Sequence, residues 1–370
     1  MAGPARIAII HDWLTSFGGA ERCLILLHRL FPTAPIYTLV HDHRNTPPEL
    51  SDAHIITSYL QRLPGALSNY QRLLPLMPYA IEQFDLSGFD LVISSSHAVA
   101  KGVLTHSAQR HLCYCYTPMR YVWDLYHTYL DNTKLSRFSG RVFRLTAHYL
   151  RQWDFAAAQR VDKFLAISET VRRRIKHTYG RDAPVVYPPV DTRFFTPEAD
   201  AQRGYYLVVS RLVPYKRVDL AVECFKYRTE QLLVVGEGPL LPCLRRQAGR
   251  GTEFLGAVSD EELRTLYQNC RALVFPGEED FGLTPVECMA CGRPVVAFNR
   301  GGGAETVVDG ETGVLFDEQS APALDMALDR LEQGDWGWEA CRQRARGFDQ
   351  EIFLAKIRAA VEYLLGHGHP

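Results

Sequence analysis

The chain has 370 residues, 46% of them hydrophobic and 22% charged, and its 41 basic residues nearly balance its 42 acidic ones. This composition excludes an intrinsically disordered chain, and a net charge of −1 disfavours a dedicated nucleic-acid binder. The length indicates two domains at about 150 residues each. The sequence contains no run of about 18 apolar residues, so it predicts no membrane-spanning helix. His11 and Asp12 end the first apolar stretch too early for a signal peptide. We read the nine cysteines as reduced thiols and expect a cytoplasmic protein.

Short apolar runs recur along the chain, separated in most places by helical patterns. The first covers residues 6–10 and is followed by a glycine-bearing loop and a predicted helix over 20–30. Further runs in the first half cover 90–94, 163–167 and 183–187, and the alternation around Cys113 and Cys115 is typical of a buried strand. A second series covers 205–210, 231–235, 272–275, 294–298 and 314–316. Strands that alternate with helices predict parallel sheets covered on both faces.

A Pro-rich segment with little periodicity separates the two series. The sequence therefore predicts an α/β protein of two doubly wound, Rossmann-like domains that face each other across a cleft. We expect these domains over 1–190 and 204–349, a linker over 191–203, and a last helix over 350–370 that crosses back to the first domain. Ligands of such sheets bind beyond the carboxyl ends of the strands, so the residues that follow each strand are the candidates for a site.

Two of these loops could approach an anion. Gly18 and Gly19 lie between the first strand and its helix, where glycine lets the backbone approach a phosphate, although a plain turn explains them as well. Arg211 and Lys216 bracket the loop after the first strand of the second series. They could converge on one phosphate group, or they could be two solvated surface cations.

The segment from Glu279 to Glu287 carries the most information. Thr284 and Pro285 predict the start of a helix, as its cap and first residue, and Gly292 predicts its end. The two carboxylates can accept hydrogen bonds from hydroxyl groups, and the backbone N–H groups between them suit phosphate or sugar oxygens. Glu287 could alternatively complement the helix dipole.

Further glycines follow other strands of the second series, at Gly236, Gly238 and residues 301–303. Together these loops favour a ligand that carries phosphate. The sequence shows no Asp-x-Asp pair in the candidate loops, so it does not require a divalent metal. Cys288 and Cys291 lack a partner pair, and we do not predict a zinc site there.

Six of the motifs, in the order in which they follow one another along the chain, resemble those of the family-four retaining glycosyltransferases with the GT-B fold. The motifs are Gly18-Gly19, Arg211-x4-Lys216, Gly236-x-Gly238-Pro239, Glu279-x7-Glu287, the glycines 301–303 and Asp309-Gly-x-Thr-Gly313. Other segments are similar to bacterial O-antigen and exopolysaccharide mannosyltransferases that use GDP-mannose. These are His11-Asp-Trp-Leu14, Leu76-Met-Pro78, residues 94–102 and Pro118-Met-Arg-Tyr121.

The resemblance implies a function and a set of roles. The donor would be a nucleotide sugar, with GDP-mannose implied, and no tightly bound cofactor or metal would be needed. Arg211 and Lys216 would stabilise the departing diphosphate, Glu279 would bind sugar hydroxyls, Glu287 the ribose, and His97 the transferred sugar or the acceptor hydroxyl. Gly19 would lie against the diphosphate, and Val258 or the loop of Gly236 and Gly238 would flank the base. The backbone N–H groups near Glu279 are those of Phe281, Gly282, Leu283 and Thr284.

The acceptor implied by the resemblance is a glycan linked to a polyprenyl diphosphate, bound by the N-terminal domain. Arg120, with Tyr121 beside it, could face an acceptor phosphate. Residues 134–160 carry six cations and one acid, interleaved with apolar residues, which is typical either of a peripheral membrane contact or of a solvated helix face. A UDP-sugar donor, a sugar-nucleotide epimerase of the same fold and an inactive nucleotide-binding protein remain alternatives.

Overall fold

The structure, a computed structural model, describes residues 5–127, 137–200 and 202–366, without the side chains of 137–139. Contacts along the backbone divide the chain into two compact units. The N-terminal unit comprises residues 1–187 and 354–370, and the C-terminal unit comprises residues 188–353. The change from one unit to the next falls at Pro188, where the Pro-rich segment begins.

The N-terminal unit is built on six parallel strands in the order β3-β2-β1-β4-β5-β6. The strands are β1 (Ile7–His11), β2 (Ile36–Thr38), β3 (Ile55–Thr57), β4 (Leu91–Ser96), β5 (Arg110–Cys115) and β6 (Lys163–Ala166). The helices that precede the linker are α1 (Gly19–Leu30), α2 (Ala66–Asn69), α3 (Met77–Glu82), α4 (Arg137–Gln159) and α5 (Glu169–Tyr179).

The apolar runs form the centre of this sheet. Ile9 of β1 is in register with Ile36 of β2 and Ile93 of β4, and all three side chains are buried, as parallel strands covered on both faces require. The prediction of a strand over 183–187 is wrong. Only an isolated bridge forms there, between Val185 and Ala166. Strands β2 and β3 are not predicted by the sequence patterns.

The C-terminal unit repeats this architecture in the order β12-β11-β10-β7-β8-β9. Its strands are β7 (Tyr205–Val209), β8 (Gln231–Val235), β9 (Thr252–Gly256), β10 (Cys270–Phe275), β11 (Val295–Phe298) and β12 (Gly313–Phe316). Its helices are α6 (Val218–Phe225), α7 (Leu241–Gln247), α8 (Asp260–Asn269), α9 (Leu283–Ala290), α10 (Gly302–Thr306), α11 (Ala321–Gln333) and α12 (Trp338–Arg346). The last helix, α13 (Gln350–Gly366), begins in this unit and continues into the N-terminal one. The prediction of two doubly wound sheets is confirmed.

Each sheet has one point where the direction of strand progression reverses. In the N-terminal unit it lies between β1 and β4, and in the C-terminal unit between β10 and β7. Loops that leave the carboxyl ends of two such strands diverge to opposite faces of the sheet and leave a crevice between them, where doubly wound proteins bind ligands. Among the helices of the described ranges, none is both long and apolar enough to cross a membrane.

Candidate active site

Lys216 and Glu279 form an ion pair at the reversal point of the C-terminal sheet. Lys216 ends a short turn after β7, and Glu279 lies in the loop after β10, the neighbouring strand. The Nζ atom of Lys216 contacts Oε2 of Glu279, and the two side chains are 15% and 17% exposed. The structure therefore brings together a cation and a carboxylate that the sequence assigns to one site.

Glycines allow the loops around this pair to pack backbone against backbone. A Cβ atom at Gly277 would lie 2.8 Å from the carbonyl oxygen of Lys216, and one at Gly302 would collide with the carbonyl group of Phe281. The N–H of Gly302 also donates to the carbonyl oxygen of Glu279 at 2.8 Å. The glycines after β10 and β11 therefore hold the backbone that carries Lys216 and Glu279 in place.

The loop of Gly236 and Gly238 packs on the loop that carries Arg211. Gly236 has a φ of +123°, and a Cβ atom there would collide with the carbonyl oxygen of Ser210. A Cβ atom at Gly238 would collide with the carbonyl oxygen of Leu212. Arg211 itself is exposed, and its guanidinium makes no hydrogen bond or ion pair with any residue that the structure describes. Loop packing is a sufficient reason for these two glycines, and their contact with a nucleotide stays a prediction.

Helix α9 begins earlier than the sequence predicts. Gly282 is its N-cap, with a φ of +84°, and Leu283 is its first residue, so the prediction that Thr284 caps the helix is wrong. Gly282 has no side chain to cap the helix, and a Cβ atom there would lie 2.6 Å from the ring of Phe275. The helix therefore presents its first N–H groups without a side-chain cap, which suits an anion.

Other predicted site residues of this unit are buried or lie apart from the ion pair. The Phe281 side chain is buried and packs on Phe348, with the ring centroids 5.6 Å apart. Glu287 is also buried, and its Oε2 accepts a hydrogen bond of 2.9 Å from the hydroxyl of Tyr267. Burial and the neighbouring carboxylate raise the pKa of Tyr267 well above its ordinary value. Val258 is half-buried and follows β9, an edge strand.

The reversal point of the N-terminal sheet holds a buried aspartate. Asp12 follows β1 and is fully buried. Its Oδ2 accepts the backbone N–H groups of His97 at 2.7 Å and Ala98 at 3.0 Å, and its Oδ1 accepts those of Val99 at 2.6 Å and Ala100 at 2.7 Å. One carboxylate after β1 thus fixes the turn after β4, the turn that carries His97.

His97 and Asp12 also form an ion pair, with 3.0 Å between Nδ1 and Oδ2. Burial opposes the charge on both groups, but their mutual attraction and hydrogen bond outweigh it. The pKa of Asp12 is therefore held well below its usual range, and the pKa of His97 is raised. The His97 side chain is 27% exposed, and because Nδ1 faces Asp12, its Nε2 is the ring atom left for a ligand.

The predicted phosphate loop of this unit has an acidic neighbour. Gly18 is the N-cap of α1 in an extended conformation, and Gly19 is the first residue of the helix. A Cβ atom at Gly18 would lie 3.3 Å from Oε2 of Glu21, whose other oxygen lies 3.6 Å from Nε2 of His11. Burial raises the pKa of Glu21, but His11 and hydrogen bonding lower it overall. An ionised carboxylate opposes a phosphate beside Gly18, and the diphosphate contact of this loop stays a prediction.

Two family models match the chain in adjoining segments. The model described as "Glycosyltransferase Family 4" matches residues 17–194, and the one described as "Glycosyl transferases group 1" matches residues 190–348. Together they cover every strand except β1, and with them the reversal point of the C-terminal sheet. The chain belongs to the group 1 glycosyltransferases.

Relatives of this glycosyltransferase include several mannosyltransferases. It is 30% identical over 196 residues to the GDP-mannose-dependent alpha-(1-6)-phosphatidylinositol monomannoside mannosyltransferase of Mycolicibacterium smegmatis, covering 45% of this chain and 51% of that one. It is 25% identical to the alpha-1,3/1,6-mannosyltransferase of Dictyostelium discoideum, covering 84% and 85%. It is 28% identical to O-antigen chain mannosyltransferase C of Escherichia coli, covering 41% and 43%. The chain spans about half the length of the first and third of these relatives.

Solved structures show the same fold. HepE of Anabaena in complex with UDP matches with a TM-score of 0.72 at 17% identity, covering 97% of this chain and 100% of that one. Sucrose-phosphate synthase of Thermosynechococcus elongatus matches with a TM-score of 0.74 at 18% identity, covering 98% and 99%. The predicted GT-B fold class is confirmed.

Arg120 and Tyr121, the two acceptor-side candidates of this glycosyltransferase, follow β5 in the chain. Arg120 and Tyr121 are both half-buried, and Tyr121 lines an apolar groove together with residues of α4. Within the described residues, no group of three or more His, Cys, Asp and Glu side chains is arranged to hold a metal ion.

Sequence patterns miss two residues that the glycosyltransferase places at its candidate sites. In the sequence, Asp12 shows only as a break in an apolar run. It nevertheless accepts four backbone N–H groups of residues 97–100 and pairs with the His97 side chain. Its position directly after a strand is the signal that could have indicated it. Tyr267, which binds Glu287, lies inside α8 and has no such signal in the sequence.

Proposed function

We propose that this glycosyltransferase transfers a sugar from a nucleotide-sugar donor to a lipid-linked acceptor, with retention of configuration. The observation that carries the proposal is the pair of Lys216 and Glu279 at the reversal point of the C-terminal sheet. An ammonium group only donates hydrogen bonds, and an ionised carboxylate only accepts them. Lys216 therefore suits the phosphate oxygens of a nucleotide sugar, and Glu279 suits the hydroxyl groups of its sugar.

In this reaction the bond from the sugar to the diphosphate breaks ahead of attack by the acceptor hydroxyl on the same face. Negative charge grows on the departing diphosphate, and positive charge grows on the sugar ring. Lys216, the exposed guanidinium of Arg211 and the N–H groups at the start of α9, near Thr284, would neutralise the leaving group. Glu287 would bind the ribose, and the loop of Gly236 and Gly238, or Val258, would flank the base.

His97 would act in the N-terminal unit, on the transferred sugar or on the acceptor hydroxyl. Its ion pair with Asp12 supports this role, because the pair fixes the ring orientation and leaves Nε2 for the ligand. We assign residues 1–190 to the acceptor, residues 204–349 to the donor, residues 191–203 to the linker, and residues 350–370 to a helix that returns to the first domain. Backbone contacts that group residues 354–370 with the N-terminal unit support the last assignment.

GDP-mannose is the donor that the relatives favour, because two of them are mannosyltransferases matched at 28–30% identity and one is named as GDP-mannose-dependent. The O-antigen relative supports a role in surface polysaccharide assembly. For this role we propose a polyprenyl-diphosphate-linked glycan as acceptor and a location on the cytoplasmic face of the membrane. A UDP-sugar is the second candidate, because HepE was solved with UDP.

A panel of nucleotides tests the donor assignment. A ligand at about 100 times its Kd stabilises a protein by about 2.7 kcal/mol, which raises the midpoint of thermal unfolding by several degrees. We expect GDP to raise it, UDP to raise it less, and Glu279→Gln to weaken the effect of GDP-mannose more than that of GDP. Glu278→Gln, next to it in the same loop, is the matched control.

Other results of the panel would change the proposal. A shift with UDP alone would replace the mannose assignment. Consumption of the donor to an isomeric nucleotide sugar without any acceptor would indicate an epimerase. No shift with any nucleotide would contradict the proposed function.

A further inference from the structure

We propose that one face of the N-terminal unit docks on an anionic membrane, and that an apolar groove in this face takes a hydrocarbon chain from the bilayer. The proposal deepens the proposed function, on which it rests for the lipid-linked acceptor. We assign the outer side of α4 and residues 59–79 to the docking face, and the groove lies where residues 71–75 meet α4.

Helix α4 exposes apolar side chains where a soluble helix normally exposes polar ones. Val142, Leu145 and Tyr149 follow one another at helical spacing and are all exposed, Leu145 by 72%. Phe155 is a fourth exposed apolar side chain, six residues further along the helix than Tyr149. An exposed apolar stripe of this length indicates a surface that another apolar phase covers.

The same helix surface is cationic. Arg141 and Arg144 are exposed next to the apolar stripe. Asp154, the one acid of α4, is fully buried and lies 2.5 Å from the Nζ atom of Lys101, so it contributes no charge to the surface. The single acid within residues 134–160 therefore does not repel an anionic partner. Residues 134–136 of that stretch lie outside the described residues.

The second segment has the same character. Residues 59–79 contain no Asp or Glu, and they include the exposed side chains of Tyr59, Arg72, Leu76 and Tyr79, the last of them 60% exposed. Residues 71–75 of this segment line the groove together with residues 142–150 of α4, so two segments far apart in sequence contribute apolar and cationic side chains to one part of the surface. This combination matches an interfacial membrane contact, in which apolar groups enter the acyl boundary and cations contact anionic headgroups.

Between the two segments lies a groove with a volume of about 390 Å³. Its walls are mainly apolar and include Leu74, Pro75, Val142 and Leu150, and Arg72 also lines it. The volume accommodates roughly a dozen groups the size of water, and each methylene group that leaves water strengthens binding about fourfold. An apolar groove with a cation at its lining fits a hydrocarbon chain below an anionic headgroup.

A bilayer fits this face better than a second copy of the chain. A symmetric dimer would place the same patch against itself, and Arg72, Arg141 and Arg144 of the two copies would repel one another. A bilayer that contains anionic lipids instead supplies both the apolar phase and the opposite charge.

Sedimentation with vesicles tests the docking face. We expect the protein to bind vesicles of phosphatidylglycerol and phosphatidylcholine, and to bind pure phosphatidylcholine vesicles at least tenfold more weakly. The double variant Arg141→Gln, Arg144→Gln should lose about 25-fold in affinity for the anionic vesicles, at about fivefold per cation. Leu145→Glu should lose at least tenfold. Met326→Glu, at a residue 69% exposed in the C-terminal unit, is the matched control and should leave binding unchanged.

A phosphatidylglycerol with a photoactivatable group on its acyl chain tests the groove. Irradiation of the vesicle complex should label peptides that contain residues 71–75 or 142–150. Equal binding to both vesicle types, binding unchanged in Leu145→Glu, self-association in place of vesicle binding, or label confined to other peptides would overturn the proposal. The nucleotide panel needs no vesicles, so failure of docking with an intact GDP response is distinguishable from failure of the proposed function.

Discussion

Replacement of Asp12 by Asn tests the account of the N-terminal site most sharply. The substitution keeps the size of the side chain, but it removes the charge and replaces one acceptor oxygen with an NH₂ group. In the protein, the two oxygens of Asp12 accept four backbone N–H groups and lie against His97. An Asn side chain can accept only two of the four, and its own N–H groups would face the others.

The expected loss of stability is large because the site is buried. Each N–H group left without an acceptor costs about 1–3 kcal/mol, and breaking a buried ion pair costs about 3–5 kcal/mol in all. We therefore expect Asp12→Asn to lower the free energy of unfolding by about 3–5 kcal/mol. Asp52→Asn is the matched control, because Asp52 also faces a histidine, His28 at 3.4 Å, but is 82% exposed. It should cost less than about 1 kcal/mol.

The difference between wild type and Asp12→Asn should depend on pH. The pKa of Asp12 is lowered in the folded state, so its contribution is present above about pH 4 and is lost as pH falls. The pKa of His97 is raised, so its contribution is complete below about pH 6.5 and is lost as pH rises through the folded value. The difference should therefore be largest between about pH 4 and 6.5.

Urea unfolding at several pH values measures this difference, and NMR of the imidazole carbon protons measures the pKa of His97. We expect His97 to titrate above its ordinary value in the wild type and below it in Asp12→Asn, where burial remains and the opposite charge is gone. The reasoning is refuted if the variant is as stable as the wild type from pH 4 to 6.5, or if His97 titrates alike in both proteins.

Two further substitutions probe packing and charge elsewhere. Gly302→Ala should displace the loop after β10, because its Cβ atom would collide with the carbonyl group of Phe281, and we expect the Kd for GDP to rise at least tenfold in calorimetry. Gly204→Ala, at a site with open space, should bind GDP like the wild type, and equal binding by both variants would contradict the packing argument. Lys101→Met should cost about 3–5 kcal/mol in urea unfolding, because it leaves the buried carboxylate of Asp154 without its cation. Adding Asp154→Asn should recover part of this loss, and purely additive losses would show that the ion pair does not couple the two residues.

The sequence predicts the strands of four to six residues other than β9, because each contains a buried apolar run or a buried alternation of residues. It misses β2 and β3, which have three residues each and are too short to show a period. It also misses β9, an edge strand whose Glu253 is exposed. Short and half-exposed strands are fixed by pairing with neighbours, which a single sequence does not reveal.

The candidate site is predicted where its residues follow strands, as Lys216 and Glu279 do. The start of α9 is predicted wrongly because Thr-Pro is a common helix start, whereas Gly282 begins the helix earlier through its positive φ. The role of Asp12 depends on N–H groups of residues 97–100, which lie far along the chain. Such long-range contacts leave no local pattern.

The measurement that tests the central claim most directly is the rate at which variants of the Lys216–Glu279 pair release the sugar from its nucleotide. The substrate is the nucleotide sugar whose nucleotide stabilises the protein, and Lys226→Met and Glu278→Gln are the matched controls. We predict that Lys216→Met and Glu279→Gln each lower kcat by about 10²–10³ while the protein stays folded. We also predict that the double variant loses less than the product of the two effects, because the residues act as a unit. Rates within threefold of the wild type for both single variants would contradict the assignment of this ion pair to the active site.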